Sequence, residues 1–587
     1  MKTIIQSALA AAALLGLAAC DLDQTPQSSL TPETSFRSES ELQLYVNGLL
    51  PSMLTGSTTE KADNGIESTL PTYMTGLRSS TVDPGKWGWN ALRSVNILFK
   101  YSGNCPDEAV RAKYEAMGHF MRAKFYYEKL KTFGGVPWCT TVLDDNSPEL
   151  YAPRDSRDVV AENILAELDL AIAGCPTAKS INTITRWSAL ALKSRFCLFE
   201  GTFRRYHGLD GADRYLRECV EASEELMASG RFKIDNTGGP ELAYRDLFAQ
   251  PATGNASDTE VINAEAYDFS LGVKHGFNYQ ITNPAGAKVG FDRDFICSYL
   301  MADGSRFTDR AGYDKMSYAD ECASRDPRMA QTVYCPGYIQ KGDTKTYPTD
   351  LTRCPTGYKY IKYVLDVKYN VWDGSLVPLP IFRLAEVYLN YAEALAELDK
   401  LTQDAADASV NKLRDRVGMP HLDVAAANAN PDPYMMSEAT GYPNVTRSAS
   451  TGVILEVRRE RLIELVLEGL HYNDILRWRE GKVYEKPFYG QYFPGEGRYD
   501  LTGDGRPNVC LYTGKKPSGL GLTFLKLGED IKLSEGTSGY MIVHDDEALA
   551  RNWNETRDYL YAIPINERLL TGGALSQNPG WNDGLSY

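Results

Sequence analysis

Three kinds of motif that commonly carry catalysis or cofactor binding are absent from this 587-residue sequence. It contains no His-Glu-x-x-His zinc motif, no phosphate-binding Walker loop and no Gly-x-Ser-x-Gly nucleophile motif. The six histidines are scattered, and His119 and His471 fall within predicted helices, where a core or capping role is the ordinary interpretation. No two of the eleven cysteines have Cys-x-x-Cys spacing, which argues against a zinc or redox centre. The sequence therefore predicts a protein that is not an enzyme and that carries no cofactor, one calcium candidate excepted.

Long hydrophobic runs are also missing once the first 19 residues are set aside. No later segment has 18 consecutive apolar residues, the length that indicates a membrane span. The apolar stretch Ala8–Ala19 is too short to cross a bilayer, but it fits the hydrophobic region of a secretory signal. It ends in Leu17-Ala18-Ala19-Cys20, which resembles the bacterial lipobox. We therefore predict a signal peptide over 1–19, acylation of Cys20 and a tether over 20–37. The alternative is an ordinary signal peptide with an incidental cysteine.

Positive charge is in short supply, since 62 basic residues against 77 acidic ones give a formal net charge of −15. This balance argues against nucleic acid and against anionic membrane surfaces as partners. Contact with a membrane is expected only through acyl chains on Cys20, in which each buried CH₂ contributes about 0.8 kcal/mol. The export route permits disulfides among the other ten cysteines, and the sequence leaves their pairing open.

Two kinds of sequence segment, one helical and one irregular, alternate along the rest of the chain. Apolar residues at helical spacing predict helices over 38–50, 89–101, 107–133, 156–173, 185–206, 211–229, 380–398, 403–417 and 452–480. Segments rich in Gly, Pro, Asn, Asp and Tyr predict irregular structure over 55–86, 233–316, 331–379, 425–450 and 483–556. Asp155 or Ser156 is the expected N-cap of the helix that begins there. Neighbouring helices between 107 and 229 suit an array of tetratricopeptide-like pairs, with about 34 residues per pair.

Five stretches, in this order behind the Cys20 motif, resemble the SusD/RagB family of nutrient-binding outer-membrane lipoproteins. They are HFMRAKFYYEKLKTFGGVPW (119–138), TRWSALALKSRFCLFEG (185–201), IFRLAEVYLNYAEAL (381–395), ILEVRRERLIELVLEGLHYNDILRW (454–478) and YLYAIPINERLLTGGALSQNPGW (559–581). The last two stretches are the most specific, and the resemblance spans nearly all of the chain after Cys20.

The resemblance implies a mainly α fold, with four tetratricopeptide-like helix pairs in a superhelix and a large, irregular, loop-rich second half. It implies an N-terminal region over 38–330, with helix pairs and ligand loops, and a C-terminal region over 331–587. The implied function is capture of an oligosaccharide or polysaccharide at the cell surface and its delivery to a SusC-like TonB-dependent transporter. The implied location is the outer membrane of a Bacteroidetes-type bacterium. A member that captures peptides, a protein-only scaffold of the transporter complex and a secreted hydrolase are the alternatives.

The stretch YMTGLRSSTVDPGKWGWN is the first candidate for ligand binding. Trp87 and Trp89 could offer a flat face to the apolar side of a sugar ring, and the Asn90 amide could bond the sugar hydroxyls. The resemblance implies aromatic ligand contacts in this region. Tyr73 and Arg78, at the start of the stretch, complete the predicted set. The alternative is that both tryptophans are core anchors of the loop.

The second candidate is NAEAYDFSLGVKHGFNYQITNPAGAK, a segment too rich in glycine for a regular core strand. Its predicted ligand-binding residues are Tyr267, Phe269, His275, Phe277 and Tyr279. The resemblance implies a second ligand segment near this point. Composition points the same way, because 36 tyrosines against 19 phenylalanines favour aromatic rings suited to a wet surface. Ordinary aromatic packing or contact with the transporter is the alternative.

Four glutamates, Glu456, Glu460, Glu464 and Glu468, recur every four residues and so line one face of the predicted helix. Catalytic carboxylates face each other across a cleft, which successive turns of one helix cannot arrange. Arginines stand at ion-pair spacing from them, as in Glu456–Arg459 and Arg461–Glu464. We therefore predict a structural network of ion pairs.

A calcium site is the one metal candidate. In DLTGDGRPN, Asp500, Asp504 and Asn508 match positions 1, 5 and 9 of an EF-hand loop. Position 12, where the bidentate glutamate belongs, is Leu511. A glycine turn with solvated acids is the alternative.

Overall fold

The structure is a computed structural model that describes residues 31, 33–59, 62–80, 84–249, 258–283, 286, 288–544 and 551–582. The predicted signal peptide over 1–19, Cys20 and most of the tether over 20–37 lie outside the described residues. The helices are α1 Glu39–Met53, α2 Thr72–Thr75, α3 Asn90–Tyr101, α4 Glu108–Phe133, α5 Arg157–Gly174, α6 Arg186–His207, α7 Ala212–Ala228, α8 Ala243–Phe248, α9 Phe277–Thr282, α10 Arg293–Ser298, α11 Tyr318–Cys322, α12 Pro327–Thr332, α13 Leu384–Glu397, α14 Gln403–Asp407, α15 Val410–Arg416, α16 Val424–Ala429, α17 Thr451–Glu464, α18 His471–Trp478 and α19 Ile565–Leu570. The strands are β1 Gly65–Glu67, β2 Val261–Glu265, β3 Val289–Phe291, β4 Leu379–Arg383, β5 Phe488–Phe493, β6 Gly497–Tyr499, β7 Val509–Tyr512, β8 Thr523–Lys526 and β9 Gly539–Val543.

Side-chain caps set the ends of the long helices. Ser156, one of the two expected caps, accepts a hydrogen bond from Val159 N at 3.2 Å and so begins α5. Thr185 begins α6 through a reciprocal capping box with Ser188. The same helix ends at Gly208, whose φ of 70° is cheap only for glycine.

The long helices pack as neighbouring pairs, α4 with α5 and α6 with α7. Helix α13, from the second half of the chain, packs on α7, while α18 packs on α6. Because α13 lies beyond residue 330, the buried core crosses the predicted boundary between 38–330 and 331–587, which stays a prediction. Among the described residues, no helix combines the length and apolar character needed to cross a membrane.

The strands form small, separate sheets that fasten the loops. Strand β2 pairs antiparallel with β4, so that Glu265 at the end of β2 lies opposite Leu379 at the start of β4. The segment that leaves β2 and the segment that enters β4 therefore emerge at the same end of this pair. This register brings residues 266–283 beside residues 366–378, about a hundred positions away in the chain.

Helix α17 is wholly buried, and its charged side chains take part in a network of ion pairs, as predicted. Glu456 pairs with Arg459 at 2.6 Å, as predicted. Arg461 instead pairs with Asp474 at 2.9 Å, so the prediction of an Arg461–Glu464 pair is wrong.

The predicted helix over 452–480 is also wrong, because two helices, α17 and α18, stand there. Leu467 at φ 64° and Gly469 at φ 72° break the helical path between them. Glu468 therefore lies beyond α17 and not on its face. It binds Lys362 at 2.7 Å and Arg383 at 2.8 Å.

Candidate functional site

The first candidate stretch is mostly packed into the core. The Trp87 ring is only 5% exposed and lies edge-on to Phe133 of α4, with 4.9 Å between ring centroids. Half-buried Trp89 lies 5.4 Å from Trp87 and 5.6 Å from Phe125. Trp87 is therefore a core anchor, as the alternative interpretation had it, and the expected open ring face is not found there.

The other members of this first set are also engaged. Arg78 is buried, forms an ion pair with Asp558 at 3.2 Å and lies 4.6 Å from the ring centroid of Tyr561. Tyr73 packs against Tyr472 at 4.9 Å between centroids. Asn90 is exposed at the start of α3. Of the five predicted residues, Asn90 is exposed, Tyr73 and Trp89 are half-buried, and Trp87 and Arg78 are buried.

The second candidate segment divides into buried and exposed rings. Phe277 begins α9 and is buried, and Tyr267 is buried against His275 at 4.5 Å between centroids. His275 donates from Nε2 to the Val377 carbonyl at 3.1 Å, and burial lowers the pKa of its imidazole. Phe269 is 51% exposed, and Tyr279 is half-buried on α9. Phe269 is therefore exposed, while His275 and Tyr279 are both half-buried and Tyr267 and Phe277 are buried.

Trp372 is an exposed ring that the sequence analysis missed. Of the eight tryptophans, all of them in the described part of the chain, it alone is exposed, with 69% of its surface accessible. Its ring lies 5.5 Å from that of Tyr279, nearly perpendicular to it at 77°. We call the pair Tyr279 and Trp372 the aromatic platform. The turn Asn-Val-Trp-Asp-Gly that carries Trp372 is a signal that could have found it, since such turns lie at the surface.

Hydrogen bonds join the two segments that carry the aromatic platform. Asn278, next to Tyr279, is buried and donates from Nδ2 to Asn370 Oδ1 at 2.6 Å. Its own Oδ1 accepts from Leu365 N at 2.6 Å. Asn370 also exchanges two 3.0 Å hydrogen bonds with Gln340. One amide network therefore joins the two segments that carry the rings.

Polar groups meet beside the platform at Gly276. A Cβ on this glycine would lie 3.2 Å from Asp373 Oδ1 and 3.8 Å from Gln280 Nε2. The absence of a side chain thus leaves a carboxylate and an amide close together. Such groups can bond hydroxyls beside a stacked ring.

A pocket of about 360 Å³ adjoins the platform, and its lining includes Asn370 of the amide network just described. Its walls carry four tyrosines, Tyr334, Tyr338, Tyr347 and Tyr360, and we call it the tyrosine pocket. Tyr334 and Tyr338 lie 4.7 Å apart between centroids. Burial raises the pKa of Tyr338 to about 12, so its phenol stays protonated and able to donate at neutral pH.

The residues of the calcium candidate form a turn in which N–H groups bond the Asp500 carboxylate. The Asp500 carboxylate accepts hydrogen bonds from Thr502 N at 2.9 Å, Gly503 N at 2.8 Å and Gly505 N at 2.7 Å. Asn508 Nδ2 adds a further donor at 3.3 Å. Among the residues described, no group of three or more His, Cys, Asp or Glu side chains could hold a metal ion. Calcium at Asp500, Asp504 and Asn508 therefore stays a prediction that this geometry does not support.

Comparison with known proteins gives the family. Residues 253–581, more than half of the chain, match the model of the SusD family. The SusD-like protein P2 of Formosa agariphila is 23% identical over 507 residues, covering 80% of this chain and 89% of that protein. The chain belongs to the SusD family.

Solved structures agree with this assignment. A SusD-like protein from Bacteroides fragilis superposes with a TM-score of 0.66 at 22% identity, over 93% of this chain and 98% of that one. A SusD-like carbohydrate binding protein from the same species gives 0.67 at 20% identity, over 91% and 98%. The predicted fold class, a mainly α, SusD-like array of helix pairs with a loop-rich second half, is confirmed.

Proposed function

We propose that this protein captures an oligosaccharide or polysaccharide on the aromatic platform. The observation that carries the proposal is the exposed Trp372, which lies edge-on to Tyr279 in a protein whose other tryptophans are buried or half-buried. An exposed indole packed beside a second aromatic ring offers an apolar contact surface that a ligand can cover. The SusD-like relative from Bacteroides fragilis that is described as carbohydrate binding supports the class of ligand.

The chemistry of the surface suits a sugar. The indole of Trp372 offers its face to the apolar C–H side of a pyranose ring. Asp373 and Gln280, which meet at Gly276, could then bond the ring hydroxyls. The tyrosine pocket would hold a further sugar unit of the same glycan. Asn370, which lines this pocket, also bonds Asn278 beside the aromatic platform. Several weak contacts in a row could thus select a polymer.

Binding is proposed without catalysis. The acids that line the tyrosine pocket, Asp343 and Asp350, are each engaged in a local turn. Asp350 Oδ1 accepts from Thr352 N at 3.0 Å and from its hydroxyl at 2.7 Å, and Asp343 Oδ1 accepts from Thr344 N at 2.7 Å. Both carboxylates are therefore engaged within their own turns. Glycoside hydrolysis requires two carboxyl groups that flank the bond to be cleaved, and neither acid is proposed for that role.

Delivery and anchoring complete the proposal. We expect the captured glycan to pass to a SusC-like TonB-dependent transporter, with the protein held at the outer-membrane surface by acyl chains on Cys20. Membership of the SusD family and the sequence before Cys20 support this part. Metabolic labelling with a fatty acid should mark the wild type and not Cys20→Ala. Label on both variants would contradict the anchor.

The platform is tested by a glycan panel followed by calorimetric titration of the best ligand. Trp372→Ala should weaken binding at least about tenfold, the loss expected when a stacked ring is removed. Tyr151→Ala is the matched control, because Tyr151 is also an exposed aromatic residue, at 59%, but lies outside the platform and the pocket. Equal affinity in wild type and Trp372→Ala would refute the platform. Binding of peptides in place of glycans would favour the peptide-capturing alternative.

A further inference from the structure

A second cleft has the opposite charge to the molecule as a whole. It has a volume of about 630 Å³ and lies between the end of α1, helix α4 and the start of α18. Its lining includes five cations and two acids: Lys86, Lys124, Lys129, Lys131, Arg195, Glu128 and Glu468. We call it the basic cleft. Arg195 is paired with Glu386 at 2.6 Å, outside the lining, so the excess of positive charge in this chain of net charge −15 lies on the lysines.

The two acids of the basic cleft already have partners. Glu128 pairs with Lys131 at 3.0 Å and with Lys124 at 3.5 Å. Glu468 is bound by Lys362 and Arg383, which lie outside the cleft lining. No carboxylate of the cleft lining is therefore left for the other lysines.

Lys86 and Lys129 have no carboxylate partner among the residues that the structure describes. Lys129 is 95% buried, since only 5% of it is exposed, and donates from Nζ to the Lys86 carbonyl at 2.5 Å. The ammonium of Lys86 lies 3.7 Å from the ring centroid of Tyr561. Burial lowers the pKa of Lys129 to about 8, which records the cost of holding this charge without an anion.

The walls of the cleft are suited to an organic ligand. Tyr472 and Tyr561 line it and supply aromatic surface. The loop at Ser57 lies against Gly469, where a Cβ would approach within 2.9 Å of the Ser57 side chain. Lys129 projects from α4, the longest helix, so that the charge is carried by a rigid element.

We propose that the basic cleft binds the oxyanion of an acidic sugar, a uronate carboxylate or a sulfate ester. Lys86 and Lys129 are the residues that receive the anion, and Tyr472 and Tyr561 flank the sugar. Charge-assisted hydrogen bonds from two ammonium groups recognise either oxyanion. This inference rests on the proposed function, because it names the class of glycan that the protein takes.

The test compares acidic and neutral oligosaccharides of equal length by calorimetric titration of the purified protein. The probes are an oligogalacturonate, a sulfated oligosaccharide and a neutral oligosaccharide, with inorganic sulfate as competitor. We expect at least one acidic probe to bind about tenfold more tightly than the neutral one, and the preference to shrink in high salt. The acidic probe with the higher affinity shows whether the cleft prefers a carboxylate or a sulfate ester.

Lys86→Met and Lys129→Met should each abolish the acidic preference, while affinity for the neutral probe stays unchanged. Methionine keeps an unbranched apolar stem in place of the lysine chain. Because Lys86 is exposed, Lys86→Met should still fold. It therefore tests the proposal even where replacement of the buried Lys129 prevents folding. Lys515→Met is the control, since Lys515 is exposed and outside the cleft.

The failure of this inference is distinguishable from the failure of the proposed function. Equal affinity for acidic and neutral probes, with Trp372→Ala still harmful, overturns the basic cleft alone. A preference for acidic probes that survives Lys86→Met and Lys129→Met also overturns it. Absence of binding to every oligosaccharide overturns both proposals.

Discussion

At the scale of single residues, two aromatic pairs with the same chemistry have opposite surroundings. Trp87 and Trp89 lie against Phe133 and Phe125 of α4, whereas Trp372 stands clear of the core beside Tyr279. The sequence indicates that rings are present in glycine-rich segments, but the covering residues come from a helix 30 to 50 positions away. Whether a ring is a core anchor or a ligand surface is therefore decided by tertiary packing.

His471 provides a prediction at the same scale. It is buried and bonds through Nε2 to Asp63 Oδ1 at 2.9 Å and to the Tyr442 hydroxyl at 2.9 Å. Burial would lower the pKa of the imidazole, but Asp474 and Asp63 outweigh it and raise the pKa to about 9. The pKa of a histidine in the unfolded chain is about 6.5.

Because the folded pKa is the higher one, the stabilisation is complete below pH 6.5 and is lost as the pH rises through about 9. The free energy of unfolding should fall by roughly 3 kcal/mol across this window, relative to His471→Gln. Urea titrations at several pH values measure the difference. His421→Gln, at an exposed histidine, should keep the wild-type decline. A parallel pH dependence in wild type and His471→Gln would contradict the assignment.

At the scale of elements, α17 shows how far local spacing predicts charge pairing. The pair Glu456–Arg459 follows from the i, i+3 spacing within the helix. Glu464, in contrast, is bound by Arg328 at 3.2 Å, by Arg383 at 2.7 Å and by Arg416. These arginines come from three other segments, so no pattern within the helix could have named them.

A second prediction follows from these partners. Burial raises the pKa of Glu464, but Arg416, Arg383 and Arg328 together hold it far below its usual range, so the carboxylate is ionised. Glu464→Gln leaves three arginines without their common anion and should lower the free energy of unfolding by about 3–5 kcal/mol.

The matched control is Arg217→Gln, at an exposed ion pair with Asp213 of 3.4 Å. It should cost at most about 1 kcal/mol, because water screens such a pair. Urea unfolding monitored by circular dichroism measures both variants. Losses of similar size would show that Glu464 has no special structural role.

At the scale of the whole molecule, the helical array was the most predictable part. Six predicted helices between 38 and 229 match α1 and α3–α7 within three residues at each end, because their apolar periodicity and caps are local. The predicted helix over 380–398 begins instead as strand β4, whose partner β2 lies more than a hundred residues earlier. That same pairing sets Trp372 beside Tyr279. The pairing of strands far apart in the sequence cannot be predicted from local pattern, and both the fold and the candidate site depend on it.

The central claim is that a glycan lies on Trp372 and Tyr279. A crystal structure of the protein with its best-binding oligosaccharide tests it most directly. We expect a sugar ring stacked on the Trp372 indole, with its hydroxyls near Asp373 and Gln280. A sugar bound elsewhere, with Trp372 still exposed to solvent, would contradict it.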